Sequence, residues 1–526
     1  MEETMNVADA RAEEYTSPTT TGADAQPEAH PSPTMTGADA QPEAHPSPTM
    51  TDADAQPEAD PSPTMTNADA QPEARPSPLT PADRRAAGKR LRDRVPRDAH
   101  AGWRAYAGRA DPIGILRAAD ATRQPDLVPL RYGRMLQSPF TFYRGSAGVM
   151  AADLAETPAT GLHVQVCGDA HLMNFGVFAT PERRVIFDIN DLDETLPAPW
   201  EWDVKRLVAS FVLAARANGL TDADGRDAAV ACARSYRRKM REFAAMNVLD
   251  VWYARLDDSD VLAMLPKSRK AVLRKRIAKA TAASSSELVF PKLAETAGGQ
   301  ARIHDTPPTI FHAEPSRAAG DMDMVRETLA KYRETLAEDR RVLFDRYRLV
   351  DAAIKVVGIG SVGTLCMVAL MMSITDYPFF LQMKQANASV LEAYAGKSVY
   401  VQHGERVVQG QRLMQPASDQ FLGWVISPEG RHFYLRQLRD VKLSPLVETF
   451  DAEMLSIYGK GCGWVLARAH AKAGDPWTIS GYLGNGGQFD DAMGKFALAY
   501  ADQAERDHAA LKAAVRAGIV EVQLEH

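Results

Sequence analysis

The hydrophobic pattern changes period along the chain. Residues 81–130 carry helical patterning with a basic stretch, RRAAGKRLRDR. Residues 139–180 look strand-like: FTFY comes first, then LHVQV leading into CGDAHLMNFGVF. Residues 203–350 read as mostly helical, including a very basic run from Lys267 to Lys279 and a charge-laced helix from Met322 to Arg348. Strand patterning returns over 354–440, where FLGWVIS and RHFYLRQL, split by PEG, predict a hairpin. GERVVQGQRLMQ and GWVLARAHAKAG predict helices, and Phe489 to Val520 predicts one or two amphipathic helices. The run Val356 to Thr375 has no charge and approaches the length of a membrane span. Its glycines, serines and threonines favour buried strands.

Before residue 81 there is no apolar period. From Thr21 a 15-residue unit runs four times, beginning TGADAQPEAHPSPTM, with three prolines per unit and no apolar face to bury. Such composition predicts a disordered, extended tail, with a docking arm for a partner as its other reading. The expected organisation is a tail over 1–80, a mostly helical large-lobe segment over 81–350, a small lobe over 351–442, and closing helices over 443–526 that complete the large lobe.

Charge follows this division. The tail holds 15 of the 68 acidic and 2 of the 61 basic residues, so the body has a small basic excess. That suits an anionic substrate and falls well short of a nucleic-acid binder's footprint. Cys167, Cys232, Cys366 and Cys462 are widely spaced, which excludes a disulfide scaffold and a C-x-x-C site. The acidic opening MEETMNVADARAEEY has neither a basic nor an apolar signal region, so the expected compartment is the cytoplasm.

Two blocks carry candidate chemistry. In the first, VQVCGDAHLMNFGVFATPERRVIFDINDLD, Asn174 stands five residues beyond Asp169, and a turn and an apolar strand lead to Asp188. Phosphoryl transfer needs a base at the attacking hydroxyl and oxygen ligands that hold magnesium against the phosphates. Asp169 is the candidate base; Asn174 and Asp188 are the candidate metal ligands. Asp191 and Asp193 read as a second metal ligand or as turn caps, and Asn190 as turn chemistry. His171 is expected to orient Asp169 or an anion, or to make a structural hydrogen bond. Arg144 is expected in a structural salt bridge or on an anion, and Trp200 and Trp202 in packing.

In the second block, IKVVGIGSVGT places Gly358, Gly360 and Gly363 in G-x-G-x-x-G spacing, with Ser361 inside it, and FFLQMK ends on Lys384. Two strands around a phosphate-covering loop, then a strand bearing a lysine, is an order that grips ATP. Glu405, or Glu392 in its place, is the expected acidic partner of Lys384. Arg439-Asp440-Val441 would lie near a hinge.

CGDAHLMNFG followed by VIFDIND resembles the motif of the aminoglycoside phosphotransferase and fructosamine kinase group of the protein-kinase-like fold. Cys167 stands where that group usually has His. Asp203 in PWEWDVKRLVASF resembles its later, structural aspartate. Residues 81–526 also resemble a bacterial family built on a domain of unknown function. The resemblance implies an α+β, two-lobed kinase-like fold, here circularly permuted because the catalytic segment precedes the glycine-rich lobe. It implies an ATP- and Mg2+-dependent phosphotransferase acting on an unidentified hydroxyl of a small molecule or protein. The competing readings are an NAD(P)-binding Rossmann-type protein, with VVGIGSVG as its fingerprint, and a non-catalytic kinase-like binding module.

Overall fold

A computed structural model describes residues 79–282, 286–297, 300–312, 322–438 and 442–525. The repeats, with the docking role read for them, and the hinge reading at 439–441 lie outside the described residues. The chain is mixed α+β.

Thr80 opens the first helix, Pro81–Arg94, through a reciprocal cap: its hydroxyl accepts the Asp83 N–H at 3.2 Å, and the Asp83 carboxylate accepts the Thr80 N–H at 3.0 Å. Helices continue to Ala155. FTFY, expected as a strand, lies in the helix Pro139–Gly145. Ser138 caps it, Pro139 fills the first turn, and Thr141 closes the reciprocal bond, so capping overrides the β-rich side chains.

The larger core gathers around the helix Trp200–Ala217, sixteen of whose residues are buried. Asp222–Phe243, Ala452–Ala473 and Gln488–Arg516 pack about it. Trp200 stacks on Tyr236 at 5.7 Å between ring centroids, which is the packing role expected of it. All four cysteines are buried and free. Two small antiparallel sheets lie on this core. His163–Val166 pairs with Leu196–Pro199. Phe175–Ala179 and Val185–Ile189 form a hairpin flanked by Lys442–Leu443 and Leu256–Asp257.

The second core belongs to a six-stranded antiparallel sheet. Its spatial order is Gly423–Ile426, His432–Gln437, Pro378–Gln385, Cys366–Ser373, Tyr347–Lys355, Ile310–Phe311. The helix Met322–Glu334 covers one face, and Val325, Leu329 and Tyr332 pack against Phe379, Leu381 and Phe421. The sheet and the helix covering it therefore draw on residues before 351. The charge-laced stretch 322–348 is two helices and the start of a strand, and its apolar stripe serves the sheet. No described helix is long and apolar enough to cross a membrane. The uncharged run 356–375 is a loop followed by the strand Cys366–Ser373.

Candidate active site

The loop from Cys167 to Asn174 is held from behind. Gly168 has φ +84°, and a side chain there would bring a Cβ within 2.4 Å of the Glu194 carbonyl oxygen. The buried Asp203 carboxylate accepts the N–H of Cys167 at 2.6 Å and of Gly168 at 2.9 Å. His470 Nε2 lies 3.1 Å from the same carboxylate. Asp203 thus has the structural role its motif implied.

Asp169 emerges from this loop, 18% exposed. Arg206, three residues beyond Asp203 and so on the same helix face, donates Nε–H to Asp169 Oδ1 at 2.6 Å. The Asn174 side chain donates to the Asp169 carbonyl at 2.7 Å, and the Asn190 N–H returns to the Asn174 carbonyl at 2.7 Å. The two halves of the first block are therefore joined. Burial pushes the Asp169 carboxyl above its usual range, and Arg206 pulls it part of the way back. Burial, with the charges of Arg144 and Arg206, keeps His171 neutral, well below the usual imidazole range. The side chain of His171 is 5% exposed and its Nε2 lies 3.8 Å from Asp169 Oδ2.

Asp188 does not stand as a metal ligand. It ends a strand, as expected, but its carboxylate turns inward and is 1% exposed against Arg468, whose Nη2–H donates to Oδ1 at 2.7 Å. Strand alternation sets this orientation: Asp188 pairs across the hairpin with Gly176, and its side chain lies on the face that meets the helix Ala452–Ala473. The accessible carboxylates come next. Asp191 is 36% and Asp193 27% exposed. Lys384 Nζ lies 2.6 Å from Asp193 Oδ2 and 3.6 Å from Asp191 Oδ1. Tyr434, opposite Lys384 on the neighbouring strand, donates its hydroxyl to Asp193 Oδ1. Burial opposes the Lys384 charge, yet Asp191 and Asp193 hold the ammonium well above its usual range. Burial and Asp191 push Asp193 up.

Neither Glu405 nor Glu392 pairs with Lys384. Glu405 sits in the first turn of the helix His403–Met414, its N–H capped by the Gln402 side chain. Glu392 accepts the Ser389 N–H. The next residue, Arg406, is the one the helix sends inward. It donates to the carbonyls of Thr195, Asp193 and Asn387 and pins the acidic turn. Arg206, Arg406 and Tyr434 were not read from the sequence; only Arg206 had a signal, its spacing from Asp203.

The glycine-rich loop of the second block bends over the first. A Cβ on Gly360 would lie 3.9 Å from Asp169 Oδ2 and 3.5 Å from the Arg144 carbonyl oxygen. Ser361 Oγ lies 3.4 Å from Asp193 Oδ2. Arg134 donates to the Gly358 carbonyl at 2.7 Å, the Gln124 N–H to the Gly363 carbonyl at 2.6 Å, and Arg123 to the Val362 carbonyl. The loop leads into a strand, so the helix a dinucleotide fingerprint requires after its glycines is missing. Among the described residues no three His, Cys, Asp or Glu side chains converge as a metal cluster.

The match to known families comes from the body of the chain. Residues 123–514 match the family described as "Uncharacterized protein conserved in bacteria (DUF2252)", and the chain belongs to it. No curated protein and no solved structure matches.

Proposed function

We propose that the protein is an ATP- and magnesium-dependent phosphotransferase with a circularly permuted, kinase-like fold. One observation carries this reading. Asp169, Asp193, Lys384 and the tip of the glycine-rich loop, drawn from two stretches far apart in the sequence, meet in one place.

The strand order supports the lobe assignment. Two strands flank the loop, the third carries Lys384, a helix follows, and a hairpin completes the sheet. Permutation is supported by the join at Gly474. The helix Ala452–Ala473 ends there, and a Cβ on Gly474 would lie 2.4 Å from Val164 Cγ1 in the strand entering the Asp169 loop. The helix that leads into this loop in space follows it in sequence.

Asp191, Asp193 and the Asn174 amide would supply oxygen donors, as magnesium prefers, and few enough for the ion to keep several waters. Lys384 now balances both carboxylates, so they already stand around a cation. Magnesium would neutralise charge on the transferred phosphoryl group. In this reading Asp169 accepts the proton of the acceptor hydroxyl, and Arg206 fixes its orientation. Lys384 moves from Asp193 to the α- and β-phosphates, and the amides of 358–363 cover them. Positioning and fixed charge then supply most of the rate.

Calorimetry on the full chain with ATP and NAD, each with and without magnesium, tests the reading without needing the acceptor. Magnesium-dependent ATP binding is the expected result. NAD binding without metal dependence would overturn it, and binding of neither would leave a non-catalytic module.

A further inference from the structure

Most cations around the candidate site already have partners. Arg206 is paired with Asp169, Lys384 with Asp191 and Asp193, and Arg436 donates to the Gln382 side chain at 3.2 Å. Arg144 differs. Its guanidinium makes no hydrogen bond or ion pair with any described residue, its Nε is buried, and its nearest aromatic contact is Phe140, 5.9 Å from ring centroid to Cζ. The structural salt bridge expected for it does not form. Desolvation lowers its affinity for the proton, and Asp169 is the charge that raises it. His171, side chain 5% exposed and beside Asp169, also leaves a buried ring nitrogen, Nδ1, without a partner. A partly buried guanidinium with no carboxylate bonded to it is only partly compensated, and an arriving anion completes the pairing.

The place of Arg144 narrows the anion. Its carbonyl lies 3.5 Å from where a Gly360 Cβ would stand, and that same point lies 3.9 Å from Asp169 Oδ2. The Arg144 backbone therefore sits at the loop tip, and Asp169 is the carboxylate whose charge reaches its guanidinium, while Lys384 sits on the side of Asp191 and Asp193. In phosphoryl transfer the group in flight passes between the metal-binding carboxylates and the base. We infer that Arg144 is the terminal-phosphate contact of the site: it binds the γ-phosphoryl group of a nucleoside triphosphate and leaves a diphosphate untouched. This rests on the phosphotransferase reading and assigns it a triphosphate-sensing residue. As the γ-phosphorus–oxygen bond to the diphosphate breaks and the bond to the acceptor oxygen forms, the guanidinium stays on the equatorial oxygens. The acceptor proton goes to Asp169, and the diphosphate leaves with the bond's electron pair.

The test is calorimetry of Mg·ATP and Mg·ADP on the full chain and its Arg144→Gln and Arg144→Lys variants, with thermal unfolding as the folding control. Arg144→Gln should weaken Mg·ATP by about tenfold or more and Mg·ADP by less than about twofold, and Arg144→Lys should restore part of the difference. Equal loss for both nucleotides, or no loss for either, overturns the assignment while leaving the phosphotransferase reading intact. Failure of the unaltered protein to bind either nucleotide overturns both.

Discussion

Asp188 and Arg468 close on each other inside the larger core, 1% and 0% exposed, with Arg468 Nη2 2.7 Å from Asp188 Oδ1. The pair ties the hairpin strand to the helix Ala452–Ala473. Removing one partner leaves the other charge buried and uncompensated, which costs about 3–5 kcal/mol. Asp188→Ala should therefore lower the free energy of urea unfolding by about that amount. Asp188→Leu combined with Arg468→Met should recover much of it, because the replacements fill the space without charge. A metal ligand would behave otherwise: the single change would leave unfolding unaltered and abolish only magnesium dependence.

The carboxylate that should control magnesium is Asp193. Asp193→Asn keeps the size and the hydrogen bond from Tyr434 but removes the charge that Lys384 and a metal would share. Magnesium-dependent ATP binding should fall by about tenfold or more, a loss of about 1.4 kcal/mol or greater. Lys384→Ala should weaken ATP as well, yet tighten magnesium in the absence of nucleotide, since Asp191 and Asp193 lose their resident cation. Both are read by calorimetry. Unchanged magnesium affinity in Lys384→Ala would mean the carboxylates are not a metal site.

Much of this site is legible in the sequence because local spacing specifies it. The G-D-x-x-x-x-N turn, the glycines at 358, 360 and 363, and the lysine at a strand end each follow from short-range pattern. The orientation of Asp188 is not legible, because strand phase depends on which face the helix Ala452–Ala473 covers, and that helix lies far away in sequence. Glu405 was misread for a similar reason: helix rotation decides whether residue 405 or 406 faces inward, and Gln402 sets it by capping the helix. FTFY failed the opposite way. Its capping signal, S-P-x-T, is local, and it outweighs the strand propensity of the aromatic side chains.

Arg406 supplies the next expectation. Buried to 2% exposure, it holds the carbonyls of Asp193, Thr195 and Asn387. Arg406→Met should lose about 1–3 kcal/mol of stability per stranded buried acceptor and loosen the acidic turn. Glu405→Gln should leave both stability and ATP affinity within about 0.5 kcal/mol of the unaltered protein, as at other surface positions. Hydrogen exchange of the amides from Asp191 to Thr195 distinguishes the two. Faster exchange in Arg406→Met and no change in Glu405→Gln is expected. The reverse would restore Glu405 as the partner of Lys384.

Acid should act through His100. It is fully buried against Tyr482, with Nε2 2.7 Å from the hydroxyl, and burial together with Lys205 pushes its pKa down to about 3. The unfolded chain binds a proton there near pH 6.5, so below that pH the unfolded state gains protons the folded state refuses. Stability from this group is whole above pH 6.5 and is lost by about 1.4 kcal/mol per pH unit as pH falls toward 3. Asp169, Asp193, Glu194 and Glu201 are held above the usual carboxylate range by desolvation and act in the opposite sense. A comparison with His100→Gln at each pH cancels their share. Urea unfolding at pH 7, 6 and 5 should show the unaltered protein losing more stability than His100→Gln over that range. Parallel losses would mean that His100 is protonated in the folded state.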